Sequence, residues 1–513
     1  MKMKNHPIRV TLLLLAVFAI LLLLRLMPPF ELGTVEIKKT DILSDLIKPD
    51  GEDDGGEAAM LEALRKQKPA FRDSCPPGMT CIEDYAEANG HGMEPFYRAL
   101  EQIDELNRPV RIAYFGDSFI EGDIITDELR LLLQKRFGGC GVGFVDMASQ
   151  TAGFRHSVRE EAEGWESFSI VDKDHCDHKK LGISQRYFLP QPGTRTAMKG
   201  VKKFGCDTCQ TATLFLRAAA PCDIRLTLNA SDSLLLHARG TGQVEALTAE
   251  GKIGRAEWSF PSPAPGMVCW GVALDGRRGI TLDNFSLRGS SGTTLTSVPE
   301  ATLREMHGVR PYDLIVLQYG VNVVTKNAKK YTQYVRNMKH VIDLIKKTFP
   351  EAGILICSVG DREGKDDSGT LCTMPGIKAM VLSQQTMAAE AGVAFWNLYE
   401  GMGGEGSIKR MADAKPAEAG KDYTHINHRG GRRIAGIFYK SIMHGFEQYK
   451  KRKAYDEEEP LQTMLCPVVR LDAQPVVRGS GHFAPSSGCR RRRGRAASHR
   501  QLHRVATAAQ PYV

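Results

Sequence analysis

Three continuous apolar runs, "RIAYFG" from Arg111, "DLIVLQYG" from Asp313 and "GILICSVG" from Gly353, each end on a glycine. Runs without polar alternation are strands buried on both faces. Between and after them lie amphipathic stretches. Thr126 to Phe137 carries Leu129, Leu132, Leu133 and Phe137 at helical spacing and stops at Gly138 and Gly139. Tyr331 to Thr348 places Tyr334, Met338, Val341, Ile342 and Ile345 on one face. A further helical stretch near Lys378 to Ala391, a strand in "VAFWNL" and a closing helix in "HRGGRRIAGIFYKSIMHGF" continue the series. Strands alternating with helices predict an α/β fold: a mostly parallel sheet flanked by helices.

The pattern changes period between 155 and 285. "TATLFLRA", "DIRLTLNA", "SLLLHARG", "RAEWSF", "MVCWGVAL" and "GITLDNFSLRG" are short, partly alternating runs separated by turn residues. They predict an inserted β-sandwich, jelly-roll-like, within the α/β domain. The expected plan is therefore an N-terminal membrane anchor (1–27), a linker and lead-in segment (28–104), the α/β domain (105–154 and 286–453), the insert (155–285) and a disordered tail (454–513).

Position matters more than size for the formal net charge of +8. From Leu461 to Val513 there are nine arginines and one acid, Asp472, so the rest of the chain is close to neutral. A phosphate-gripping domain would carry its own basic face, and no nucleic-acid partner is expected. "CRRRRGRAASHRQLHRV" has no apolar periodicity from which to build a core. At the other end, Ile8 to Met27 spans 20 residues, about 30 Å as a helix. Lys2, Lys4 and Arg9 lie before or at its start, predicting a cytoplasmic N-terminus and a periplasmic catalytic domain anchored in the inner membrane. A cleaved signal peptide is the competing reading, although the small-x-small cleavage pattern is missing. Twelve cysteines in an exported chain are candidates for disulfides, Cys75 and Cys81 first among them because a Pro-Pro-Gly turn separates them. "CDTC" (Cys206 to Cys209) and "HCDH" (His175 to His178) match no common zinc spacing, so no metal and no cofactor is expected.

Parallel sheets place their chemistry at the carboxyl ends of strands. Three segments there hold what acyl transfer requires: "FGDSF" with Ser118, "LQYGVN" with Gly320 and Asn322, and "DYTH" from Asp422 to His425. A serine hydroxyl needs a base within reach, and that base needs an orienting carboxylate. His428 is a rival base but is assigned to the start of the last helix. Glu121 and Asp123 are read as capping and solvating the turn after Ser118. The Gly-x-Ser-x-Gly elbow is excluded because Ile120 stands where it needs glycine.

Taken singly each segment is weak, but in this order they resemble the GDSL or SGNH hydrolase superfamily. The resemblance implies Ser118 as nucleophile, His425 as general base and Asp422 as its partner. It also implies an oxyanion hole made by the N–H of Ser118, the N–H of a glycine and the Asn322 amide. Gly289 and Gly292 both fit the glycine role, and Gly292 is preferred because two threonines follow it. With an insert between the Ser and Gly blocks, the chain is similar to envelope peptidoglycan and polysaccharide O-acetylesterases and O-acetyltransferases. That similarity implies an acetylated glycan substrate and a carbohydrate-binding character for the insert. It implies a membrane-bound acyl donor protein if the reaction is transfer, and leaves open a glycan-binding protein without turnover.

Overall fold

The computed structural model describes residues 75–87, 90–172 and 174–465, together with 30–32 and 35–37. The expected anchor at 1–27, most of the linker and the chain beyond 465 lie outside the described residues. Among those described, no helix is long and apolar enough to cross a membrane.

A six-stranded sheet runs in the order Ile280–Ser286, Val110–Gly116, Leu314–Gln318, Gly353–Cys357, Ala394–Trp396, Ile82–Asp84. The first five strands are parallel and the last is an antiparallel edge. Successive side chains on a strand point to opposite faces, and here each face has its own core. Ala113, Phe115, Ile315, Leu317, Ile354 and Ile356 pack with the helices Thr332–Thr348 and Pro375–Ala391. Ile112, Tyr114, Leu314, Val316, Leu355 and Cys357 pack with the helices Glu94–Glu101, Thr126–Phe137 and the one that starts at His428. Covering on both faces is why these strands read as unbroken apolar runs.

The β-rich insert is one hydrogen-bonded antiparallel sheet of nine strands. Met198, Leu226 and Trp258 from one half share a core with Leu214, Leu216 and Val272 from the other, so the sheet folds over on itself. Its outer aromatic residues Phe144, Phe215 and Trp270 join the α/β core beside Phe285 and Tyr312. Buried Arg310 spans the junction, pairing with Asp275 of the insert at 2.7 Å and with Asp283 of the parallel edge strand at 2.7 Å.

The boundaries differ from expectation at both ends. Gly143–Asp146 pairs with Val268–Asp275 and belongs to the antiparallel sheet. Ile280–Ser286 pairs in parallel with Val110–Gly116 and belongs to the α/β sheet. The second was misassigned because Asp283 breaks its apolar run, whereas in the fold that carboxylate is buried against Arg310 and Tyr312. Cys75 and Cys81 form a disulfide. Cys206 and Cys209 are buried thiols within the insert, facing the carbonyls of Gly141 and Ile253.

Candidate active site

Ser118 follows the strand Val110–Gly116, which has Ile280–Ser286 on one side and Leu314–Gln318 on the other. The chain order reverses there, and ligands of open α/β sheets bind at such switch points. His425 arrives from the far end of the sequence, 307 positions away. Its loop is closed by Gly420 N–H donating to the His425 carbonyl at 2.8 Å. Asn427 Oδ1 then accepts from the N–H groups of Arg429 and Gly430, capping the helix that begins at His428. A Cβ at Gly431 would stand 1.8 Å from the Ile124 carbonyl oxygen. Glycine there lets the helix start press against the end of the nucleophile loop.

The result is a hydrogen-bonded line of three groups. Ser118 Oγ lies 3.2 Å from His425 Nε2, and His425 Nδ1 lies 2.7 Å from Asp422 Oδ2. Asp422 Oδ1 also accepts from the N–H groups of Thr424 and His425, at 3.1 Å each. Partial burial pushes the Asp422 carboxyl up, but the bonds from His425 and Thr424 outweigh it and hold the group below the usual carboxylate range. A carboxylate only accepts, so Nδ1 carries the imidazole proton and Nε2 is free to take one from Ser118. The side chains of His425 and Asp422 are 52% and 51% exposed, which leaves the base open to water.

Beyond the neighbouring strand ends, Asn322 and Gly292 hydrogen-bond within the protein. Asn322 Nδ2 donates to the Ser290 carbonyl at 3.0 Å and approaches Asp117 Oδ2 at 3.3 Å. Gly292 N–H donates to Ser290 Oγ at 3.0 Å. Of the two candidate glycines, Gly292 is the one where glycine is sterically required. Both have positive φ, +86° at Gly292 and +75° at Gly289, but only at Gly292 is the space also filled: a Cβ there would meet the Tyr319 ring at 2.6 Å, whereas one at Gly289 would meet open space. All five candidate residues are thus linked through direct contacts or through Asp117 and Ser290. Asn322 and Gly292 currently donate to acceptors of the protein itself.

Asp117 was missed by sequence reasoning. It is 2% exposed, its Oδ1 accepts from Phe119 N–H, and its Oδ2 faces Asn322. Burial pushes its carboxyl up to about 7, against the pull of the Phe119 N–H and the charge of His425. A carboxylate at a strand end next to a candidate nucleophile was the available signal. Glu121 and Asp123 do not solvate the turn: both are buried. Asp123 binds Arg130, Arg155, Thr126 and Asn284, and Glu121 pairs with Arg288. His428 is no competitor for Ser118. It stacks on His156 with ring centroids 3.9 Å apart, and its Nδ1 is 3.8 Å from Asp127.

No protein-family model matches the chain, and no curated protein is significantly similar to it. Among solved structures, a peptidoglycan O-acetylesterase superposes with a TM-score of 0.59 at 22% identity, over 72% of this chain and 99% of that one. The likeness is one of fold: this chain folds as that protein does over nearly all of its length. A protein described as a GDSL-like lipase, from Parabacteroides merdae, matches at 17% identity with a TM-score of 0.26, over 33% of this chain and 74% of that one. An acetyl xylan esterase matches at 15% identity with a TM-score of 0.22, over 32% and 81%. In this chain Ser118 stands just past the end of its strand, and the Asp-x-x-His segment lies just before the last helix.

Proposed function

We propose that the chain is a serine-dependent O-acyl esterase that removes acetyl groups from a cell-envelope glycan such as peptidoglycan or an exopolysaccharide. The observation that carries this reading is the line Ser118, His425, Asp422 at the sheet's switch point. Similarity to a peptidoglycan O-acetylesterase along nearly that protein's whole length supports the substrate class.

In this reading Ser118 Oγ attacks the ester carbonyl as its proton passes to His425 Nε2, and Asp422 stabilises the imidazolium. The tetrahedral oxyanion takes N–H donors from Ser118, Gly292 and Asn322, the last two leaving Ser290 and Asp117 as the substrate oxygen arrives. Collapse breaks the bond to the sugar oxygen, which takes the proton from the His425 imidazolium and departs as a hydroxyl, leaving an acetyl-serine. Water, deprotonated by the same imidazole, then releases acetate and regenerates Ser118. A sugar hydroxyl in place of water would give O-acetyl transfer with the same residues, but the half-exposed His425 favours water.

The Cys75–Cys81 disulfide and the apolar stretch at 8–27 support an exported, membrane-tethered enzyme. Equal partition of the full chain and a chain lacking 1–27 between membrane and soluble fractions would count against the tether. The decisive test of the chemistry is turnover of an aryl acetate by residues 75–465 and by its Ser118→Ala variant. A loss of about 10⁴-fold or more is expected. Undiminished turnover in the variant removes the mechanism.

A further inference from the structure

Beside the nucleophile loop lies a cleft of about 480 Å³ between the parallel sheet's edge and the insert. Glu121 and Gly122, just past Ser118, form one wall, and Ser286 to Arg288 form a second. The insert closes the rest with Asp146, Arg186 and the segment around Phe154 and Arg155. Three guanidinium groups face it, and each already has a carboxylate. Arg155 pairs with Asp123 at 2.9 Å, Arg186 with Asp146 at 3.2 Å, and Arg288 with Glu121. Within the lining three guanidinium groups face three carboxylates, Asp123 being shared with Arg130 behind it.

Hydrogen-bonding capacity is not matched. Arg155 Nη2, Arg186 Nε and Asp146 Oδ1 are buried with no partner, and the Arg155 side chain is only 8% exposed. Leaving such groups unpaired is costly, and two donors and one acceptor in a neutral setting suit vicinal hydroxyls. At the rim, Phe154 and Val171 are 44% and 50% exposed. A large apolar surface beside unpaired polar atoms fits a sugar ring, with its C–H face on the phenyl ring and its hydroxyls inward.

We propose that this cleft is a saccharide subsite, which seats a ring of the glycan neighbouring the acetylated one. The proposal rests on the esterase reading and assigns the insert a share of the substrate contact. Phe154→Ala alters the apolar rim, and Arg186→Lys keeps the charge facing Asp146 while removing Nε. Each should raise KM for an O-acetylated oligosaccharide about tenfold and leave kcat/KM for an aryl acetate within about twofold.

Unchanged KM for the oligosaccharide in both variants overturns the subsite while the esterase stands. So does an equal loss on both substrates, which would mark these residues as supports of the triad. Calorimetric titration of the Ser118→Ala protein with the same oligosaccharide separates this idea from the chemistry. Binding that weakens when Phe154→Ala is added supports the subsite even if the aryl acetate assay fails. Binding that is absent, or indifferent to that change, sinks it.

Discussion

Asp117 and Asp123 stand six positions apart at the two ends of the loop that carries Ser118, and both are withdrawn from solvent. Their carboxyls are driven in opposite directions. At Asp117 burial dominates, because the nearest groups are an amide, a backbone N–H and the imidazole of His425, and the group rises to about 7. At Asp123 burial pushes the same way, but Arg130, Arg155 and Ser157 together overturn it and hold the carboxyl far below the usual range. Burial sets the cost of a charge, and the partners decide whether it is kept. One end of the loop is an ionic anchor that fixes the turn. The other is a carboxyl that burial leaves only partly ionised near neutral pH, facing the candidate oxyanion donor.

Replacing the anchor should have the largest effect. Asp123→Asn leaves Arg130 and Arg155 buried without a countercharge, and unfolding by urea should show a loss of about 3–5 kcal/mol. A change under about 1 kcal/mol would mean that the two guanidinium groups find other acceptors and that the anchor description is wrong. Next comes the group that Asp117 faces. Asn322→Ala should lower kcat for an aryl acetate by about 10²–10³ with little change in KM or in melting temperature. A kcat within about twofold of the parent protein would take Asn322 out of the oxyanion hole.

The smallest effect belongs to Asp117→Asn, and its sign is the informative part. With its value raised in the folded state, Asp117 retains a proton that the unfolded chain releases. This contribution to stability is complete at low pH and fades as pH rises from about 4 to about 7. The variant should lack that decline, so melting temperatures measured at pH 4 and pH 8 should lie closer together by a few degrees than in the parent. It should also lose some kcat, since its amide offers Asn322 no acceptor on that side. An unaltered pH dependence of melting would show that Asp117 is ionised throughout.

Much of this architecture could be read from residue order, for physical reasons. The helix expected at Thr126 to Phe137 has those ends, and the face expected for the next long helix is buried. On the second helix a solvent-facing side imposes a clean period; on the first, Asp127, Arg130 and Gln134 are buried alongside Leu129 and Leu133, and the end is set by Gly138. Ser118, Asp422 and His425 could be singled out because residue type at strand and helix ends is legible locally, and the fold brings the three into one hydrogen-bonded line. What escaped were polar residues whose partners are remote in sequence. Asp283, within a run assigned to the insert, is buried against Arg310; Glu121 and Asp123 read as wetted and are sealed by Arg288, Arg130 and Arg155. Local pattern cannot tell an acid facing water from one facing a guanidinium group brought in by the fold.

The long sequence separation between Ser118 and His425 also bears on synthesis. A ribosome releases the hydroxyl some three hundred residues before the imidazole, with the whole nine-stranded sheet made in the interval. Under the proposed mechanism, no growing chain attacks an ester until the helix beginning at His428 has left the exit tunnel and docked through Gly431 onto Ile124. Truncated products, however well folded upstream, would then be inert by construction.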